Sequence, residues 1–141
     1  MRDAGVVVGL GTDGCASSNN LDMVEAMKFA SLLGKSWRKD PEAMPAGEMV
    51  RMATANGAQI LGLNAGEIKP GALADLSLIN LKSPAFTPNF NFESNLVYAA
   101  NGSCIDTVIC DGKILMQDAR VAGEEEILEK AAAVAYDLMK R

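Results

Sequence analysis

Val6-Val7-Val8-Gly9-Leu10-Gly11-Thr12-Asp13-Gly14 decides how the rest of the 141-residue chain is read. The apolar residues from Val6 to Leu10 do not alternate with polar ones, which predicts a parallel strand covered on both faces. The strand ends on Asp13, between glycines at 11 and 14 that allow the backbone to turn sharply and present the carboxylate at the mouth of a sheet. A carboxylate at the C-terminal end of a barrel strand is a common metal ligand or general base. Hydrolytic metal sites also draw on imidazoles, and the chain contains no histidine. One donor without its partners predicts the last part of a larger enzyme.

Length and composition set the outer bounds. The 49% hydrophobic content fits one folded domain, or two partial ones. A net charge of −5, with 13 basic residues scattered along the chain, offers no basic stripe for nucleic acid or an anionic membrane. No apolar run approaches the ~20 residues needed to cross a bilayer, and Met1-Arg2-Asp3-Ala4-Gly5 does not open a signal peptide, so a cytoplasmic location is expected. Cys15, Cys104 and Cys110 are odd in number and lack Cys-x-x-Cys spacing, against both a disulfide framework and a structural zinc knuckle. The eight methionines suit irregular core packing.

Outward from Asp13, Ser17-Ser18-Asn19-Asn20 supplies a polar turn and N-cap candidates, with Asp22 in the first turn of a helix. Met23, Ala26, Met27, Ala30 and Leu33 form its apolar face, and Gly34 is the expected end. Pro45 opens a second helix with the stripe Met49, Val50, Ala53, Gly57, Ile60 and Leu61, stopped by Gly62; close helix packing explains Gly57. From Gly66 short strands and turns take over, with a strand over 74–81, a proline-containing loop excursion from Ser83 to Asn89 and a short helix between Glu93 and Ala100. Asp111-Gly112 between Ile105–Cys110 and Lys113–Met116 predicts a hairpin. Glu124 to Arg141 reads as a terminal helix with an acidic start, a basic end and the stripe Ile127, Leu128, Ala131, Val134, Ala135 and Leu138.

Asp13 leads the chemical candidates, although an aspartate after a strand also serves to cap a turn. Asn19 and Asn20 are candidate substrate contacts, and helix capping explains them at least as well. Thr12 and Ser17 are candidate hydrogen-bond donors near a metal-bound water; without a neighbouring histidine neither is a nucleophile. Trp37-Arg38-Lys39 reads as a solvated connector, and the glycines of 9–14 match neither a dinucleotide nor a phosphate loop.

The ordered motifs resemble the C-terminal part of the metal-dependent deaminases and chlorohydrolases of the amidohydrolase superfamily, nearest to the methylthioadenosine/S-adenosylhomocysteine deaminase group. They are Gly9-Leu-Gly-Thr-Asp13-Gly14, Ser18-Asn-Asn-Leu-Asp22, Trp37-Arg-Lys-Asp-Pro41, Met52-Ala-Thr-Ala-Asn-Gly-Ala58, Lys69-Pro-Gly71 with Ala74-Asp-Leu76, Ser94-Asn-Leu-Val-Tyr98 and Val108 to Gly112. Departures are Cys15 in place of alanine, Leu73 where a charge is frequent and Asn80 in place of aspartate.

The resemblance implies an α/β fold: the last strand and closing helices of a (β/α)8 barrel over 1–63, a share of a composite β-sandwich over 64–123 and a terminal helix over 124–141. It implies that Asp13 binds a catalytic divalent metal, zinc by family expectation, and takes the proton of the attacking water. The substrate implied is a purine nucleoside. The His-x-His pair, two further histidines and a glutamate of such enzymes have no counterpart here, so the chain alone is expected to be inactive and not to retain the metal. A missing N-terminal segment or a partner chain would complete it, and exposed barrel edges predict a homo-oligomer. Two other readings are a chlorohydrolase or other nucleobase deaminase and, from a different class, a noncatalytic assembly or binding module built from an enzyme-derived sheet.

Overall fold

Helices, a winding connection and a four-stranded antiparallel meander follow one another in the computed structural model, which describes residues 4–141. Met1, Arg2 and Asp3 of the N-terminal segment considered above lie outside the described residues. Val6 to Leu10 forms no sheet ladder among the described residues, contrary to the strand expected there. The described residues offer this run no neighbouring strand, and its backbone turns to helices. The Leu10 N–H donates to the Met52 carbonyl at 2.9 Å, and the Asn56 side-chain amide donates to the Val8 carbonyl at 2.9 Å. All strand pairs of the sheet are antiparallel, so the described residues do not themselves contain a parallel barrel.

After one helical turn, α1 (Cys15–Ser18), the long helix α2 runs from Met23 to Arg38. Asp22 is its N-cap, not a first-turn residue: its Oδ1 accepts from the N–H groups of Val24 and Glu25 at 2.8 and 3.2 Å. The helix passes through Gly34 and ends on Lys39 in the left-handed conformation. Gly34 is needed for packing here, because a Cβ would stand 2.6 Å from Met44 Cγ. The buried face is Val24, Met27 and Ser31, rotated from the expected stripe, and Leu33 is exposed.

The second predicted helix is two, α3 (Ala46–Ala53) and α4 (Ala55–Leu61), broken at Thr54 and stopped by left-handed Gly62. Strand β1 (Leu76–Ile79) pairs with β2 (Ile105–Cys110), which pairs with β3 (Lys113–Gln117) and then β4 (Arg120–Val121). Asp111 and Gly112, both at positive φ, make the expected hairpin turn.

The segment between β1 and β2 supplies much of the core. It contains a 3₁₀ turn, Pro84–Phe86, and one helical turn, α5 (Phe92–Ser94), that widens into a π-type turn over Asn95–Ala99. Phe86, Leu96, Val97, Ala100 and Cys104 pack with Val24, Met27, Ala46, Met49 and Met52. Ser31 is fully buried beneath this layer, bonded to the Met44 carbonyl at 2.7 Å and the Tyr98 hydroxyl at 2.9 Å. Asp22 ties the same layers together, since its Oδ2 accepts from the Gly102 N–H at 2.7 Å. The terminal helix α6 (Glu124–Leu138) forms where expected, with its whole apolar stripe exposed. The three cysteines are free, and no helix among the described residues is long and apolar enough to cross a membrane.

Candidate functional site

The sharp turn that exposes Asp13 falls on the aspartate itself. Its φ is 61°, whereas Gly14 is extended at −83° and Gly11 is absent from the positive-φ positions. Aspartate tolerates the left-handed region better than most residues because its short carboxylate bonds locally. Here Oδ1 accepts from the Gly14 N–H at 2.7 Å and Oδ2 from the Ser17 hydroxyl at 2.9 Å. Thr12 Oγ1 donates to the Asp13 carbonyl at 3.1 Å, so both hydroxyls considered from the sequence act on Asp13 directly.

The Gly14 N–H, and after it the Ser17 hydroxyl, hold the Asp13 carboxyl below its ordinary range. It is therefore ionised at neutral pH and fixed at both oxygens. Each carboxylate oxygen offers two acceptor positions, which leaves one on each oxygen beyond these bonds for a cation or a water proton. A tetrahedral zinc site takes about four ligands. Among the described residues no three His, Cys, Asp or Glu side chains gather to hold a metal ion. The donor set of the described residues fits one ligand position of a divalent metal and does not fit a complete site.

Asn19 is the left-handed C-cap of α1, its N–H donating to the Cys15 carbonyl. The Asn20 side chain donates to Glu25 Oε2 at 2.7 Å and accepts from the Asp22 N–H at 3.3 Å. Asn20 also lines an apolar cleft of about 670 Å³ with Asp22, Leu96, Gly102 and Met116, and Asp13 is not part of its lining. Two residues that matter to the geometry carried no signal as site residues in the sequence. Both stand in motifs that carry the family resemblance, but Asp22 looks like any helix-start carboxylate until Gly102 is seen beside it, and Asn56 is a polar residue outside the apolar stripe of its helix.

A family model described as Amidohydrolase family matches residues 1–115. The chain belongs to the amidohydrolase family. It is 51% identical over 98% of its length to a 5'-deoxyadenosine deaminase of Methanoregula boonei, of which it covers 31%. It is 46% identical over its full length to a 5-methylthioadenosine/S-adenosylhomocysteine deaminase of Haloarcula marismortui, covering 33% of that protein. Among solved structures, an adenosine deaminase from Xanthomonas campestris with bound zinc superposes with a TM-score of 0.94 at 30% identity, over 99% of this chain and 33% of that one. An atrazine chlorohydrolase from Arthrobacter aurescens complexed with zinc superposes with a TM-score of 0.82 at 27% identity, over 94% of this chain and 30% of that one. This amidohydrolase chain thus spans about a third of the length of the relatives it matches.

Proposed function

We propose that the chain is the C-terminal part of a metal-dependent aminohydrolase acting on an adenosine whose 5' position carries no free hydroxyl. The relatives named for 5'-deoxyadenosine, methylthioadenosine and S-adenosylhomocysteine share that feature, and a chlorohydrolase neighbour marks the wider chemistry of the family. The observation that carries the reading is Asp13: an ionised carboxylate, fixed by Gly14 and Ser17, at the end of the run that resembles the family's last barrel strand. In this reading 1–63 closes a (β/α)8 barrel, 64–123 belongs to a composite sandwich and 124–141 is a terminal helix. An N-terminal segment or partner chain completes the site, the assembly is a homo-oligomer and the compartment is the cytoplasm.

Asp13 would provide one oxygen ligand to a divalent metal, zinc by the neighbours' example. When bound, such an ion activates water at neutral pH and stabilises developing negative charge. Asp13 accepts a proton from the attacking water at its carboxylate. A C–O bond forms at the purine carbon bearing the amine, the C–N bond breaks, and of the two water protons one ends on the nitrogen, which leaves as ammonia, and the other on the purine ring as the oxo product forms, Asp13 giving up the proton it took. The Gly14 and Ser17 donors keep the carboxylate in one orientation, so little reorganisation accompanies proton transfer.

Co-expression of the chain with the remaining N-terminal portion of the Methanoregula relative tests this. The expected result is a complex that retains zinc through gel filtration and releases ammonia from 5'-deoxyadenosine, with Asp13→Asn losing both. Ammonia release by the 141-residue chain alone would overturn the reading of it as a part. A folded complex with neither zinc nor activity would favour a noncatalytic assembly module.

A further inference from the structure

We infer that Asn56 is a positioning residue for the segment that presents Asp13. The inference rests on the reading of Asp13 as a metal ligand and concerns what fixes its place. The run Val6–Leu10 lacks a sheet partner among the described residues, yet the Val8 carbonyl and the Leu10 N–H are both bonded, two residues apart as along one edge of a strand. Their partners come from either side of the break at Thr54: the Met52 carbonyl near the end of α3 and the Asn56 side-chain amide in the first turn of α4. An unbroken helix would spend the Met52 carbonyl on the residue four positions later. Breaking it at Thr54, whose N–H turns back to the Arg51 carbonyl, leaves Met52 to serve Leu10.

A second observation places the same two segments in close contact. A Cβ on Gly9 would stand 3.1 Å from Ile60 Cδ1 and 3.4 Å from Gly57 Cα, so the residue between Val8 and Leu10 lies against the backbone of α4. Asn56 and Gly57 thus act together on one stretch, which ends three residues before Asp13. Moving that stretch would displace the left-handed turn at Asp13 and its bonds to Gly14 and Ser17.

The test is amide NMR on the 141-residue chain. Asn56→Asp keeps the size of the side chain, suits a helix N-terminus and removes the donor, so α4 should persist. The expected result is exchange at the Leu10 N–H faster by about tenfold, the equivalent of one ordinary hydrogen bond. A shifted Gly14 amide resonance and unchanged exchange at Ala58 should accompany it. Asn56→Gln, which retains an amide donor, should restore part of the Leu10 protection.

Leu10 and Gly14 signals unchanged in a folded Asn56→Asp variant would overturn the inference, as would equal losses in the Gln and Asp variants. The Asp13 reading is tested separately in the complex with the N-terminal portion of the Methanoregula relative, where Mn²⁺ should broaden the Gly14 and Ser17 amides and the broadening should disappear in Asp13→Asn. Absence of broadening in that complex counts against Asp13 as a ligand, while Leu10 exchange in the 141-residue chain still decides the role of Asn56.

Discussion

Replacing Asp22 with alanine should destabilise the chain by about 3 kcal/mol, because one carboxylate performs two tasks. Its Oδ1 caps α2 through Val24 and Glu25, a role typically worth about 1 kcal/mol. Its Oδ2 accepts from the part-buried Gly102 N–H, 80 residues away in sequence, and a hydrogen bond to a charged group contributes about 1.5–3 kcal/mol. The Gly102 position confirms how tightly the carboxylate fits, since a Cβ there would lie 3.0 Å from Asp22 Oδ2. With urea slopes of about 1–3 kcal/mol per molar, the unfolding midpoint should fall by about 1–3 M. Asp22→Ser separates the tasks: a serine restores the cap and about 1 kcal/mol while leaving Gly102 unpaired. Amide exchange should then show Val24 and Glu25 protected and Gly102 exposed. Both variants lying within about 0.5 kcal/mol of the unmodified chain, the usual range for a neutral surface change, would refute the assignment.

Ser31→Ala should cost about 1–3 kcal/mol by leaving the Met44 carbonyl and Tyr98 hydroxyl without their shared partner; adding Tyr98→Phe should recover part of it, measured as a double-mutant cycle in urea. Gly57→Ala should stabilise the chain by about 0.5–1 kcal/mol, since its Cβ would meet only the Met52 carbonyl at 3.9 Å inside a helix. Gly66→Ala should instead cost about 2–4 kcal/mol, because φ is +81° and its Cβ would lie 2.8 Å from backbone atoms of Thr54 and Ala55; thermal melts of both variants check the contrast. The Asp75 carboxylate, foremost, raises the exposed Cys110 thiol above its ordinary pKa, which lowers the thiolate fraction at any given pH below it. Asp75→Asn should therefore speed iodoacetamide labelling of Cys110 near pH 8, followed by peptide mass spectrometry, and unchanged labelling would contradict the electrostatic cause.

Signals local to a few residues were legible in the sequence. Asp111-Gly112 marks its hairpin because both residues accept positive φ, and Gly62 stops α4 for the same reason. Asp13 is legible as the polar end of an apolar run. What the sequence does not reveal depends on partners distant in the chain. Gly34 reads as a stop, but Met44 leaves no room for a Cβ and α2 continues past it to Arg38. Gly57 reads as the residue required for close packing, whereas the Cβ that would be crowded is that of Gly9. The excursion after β1 shows no sustained period because a 3₁₀ turn, an α turn and a π turn succeed one another, yet it buries Phe86, Leu96 and Val97. At the candidate site the residue types make Asp13 a candidate, but they do not place the turn's positive φ on it or pair its second oxygen with Ser17.

Two kinds of apolar surface distinguish the parts of this chain. The methionine-rich layer of α2 and α3 is covered from within by Phe86, Leu96 and Val97 and locked by Asp22 and Ser31. Val6, Val7 and Trp37, and the whole stripe of α6, remain open to solvent, Trp37 at 89% exposure. Exposed apolar side chains scattered singly need no explanation, but a whole helix stripe left bare, and two adjacent exposed valines at the start of the run leading to a candidate ligand, are characteristic of surfaces made to be covered. The proposed N-terminal barrel would cover the Val6 run and bring further ligands toward Asp13 in one step. Zinc retention and loss of Val6 and Val7 exposure should therefore appear together on reconstitution. If zinc were bound while these valines stayed as accessible as in the free chain, the metal site would have to form without the barrel closing around this run.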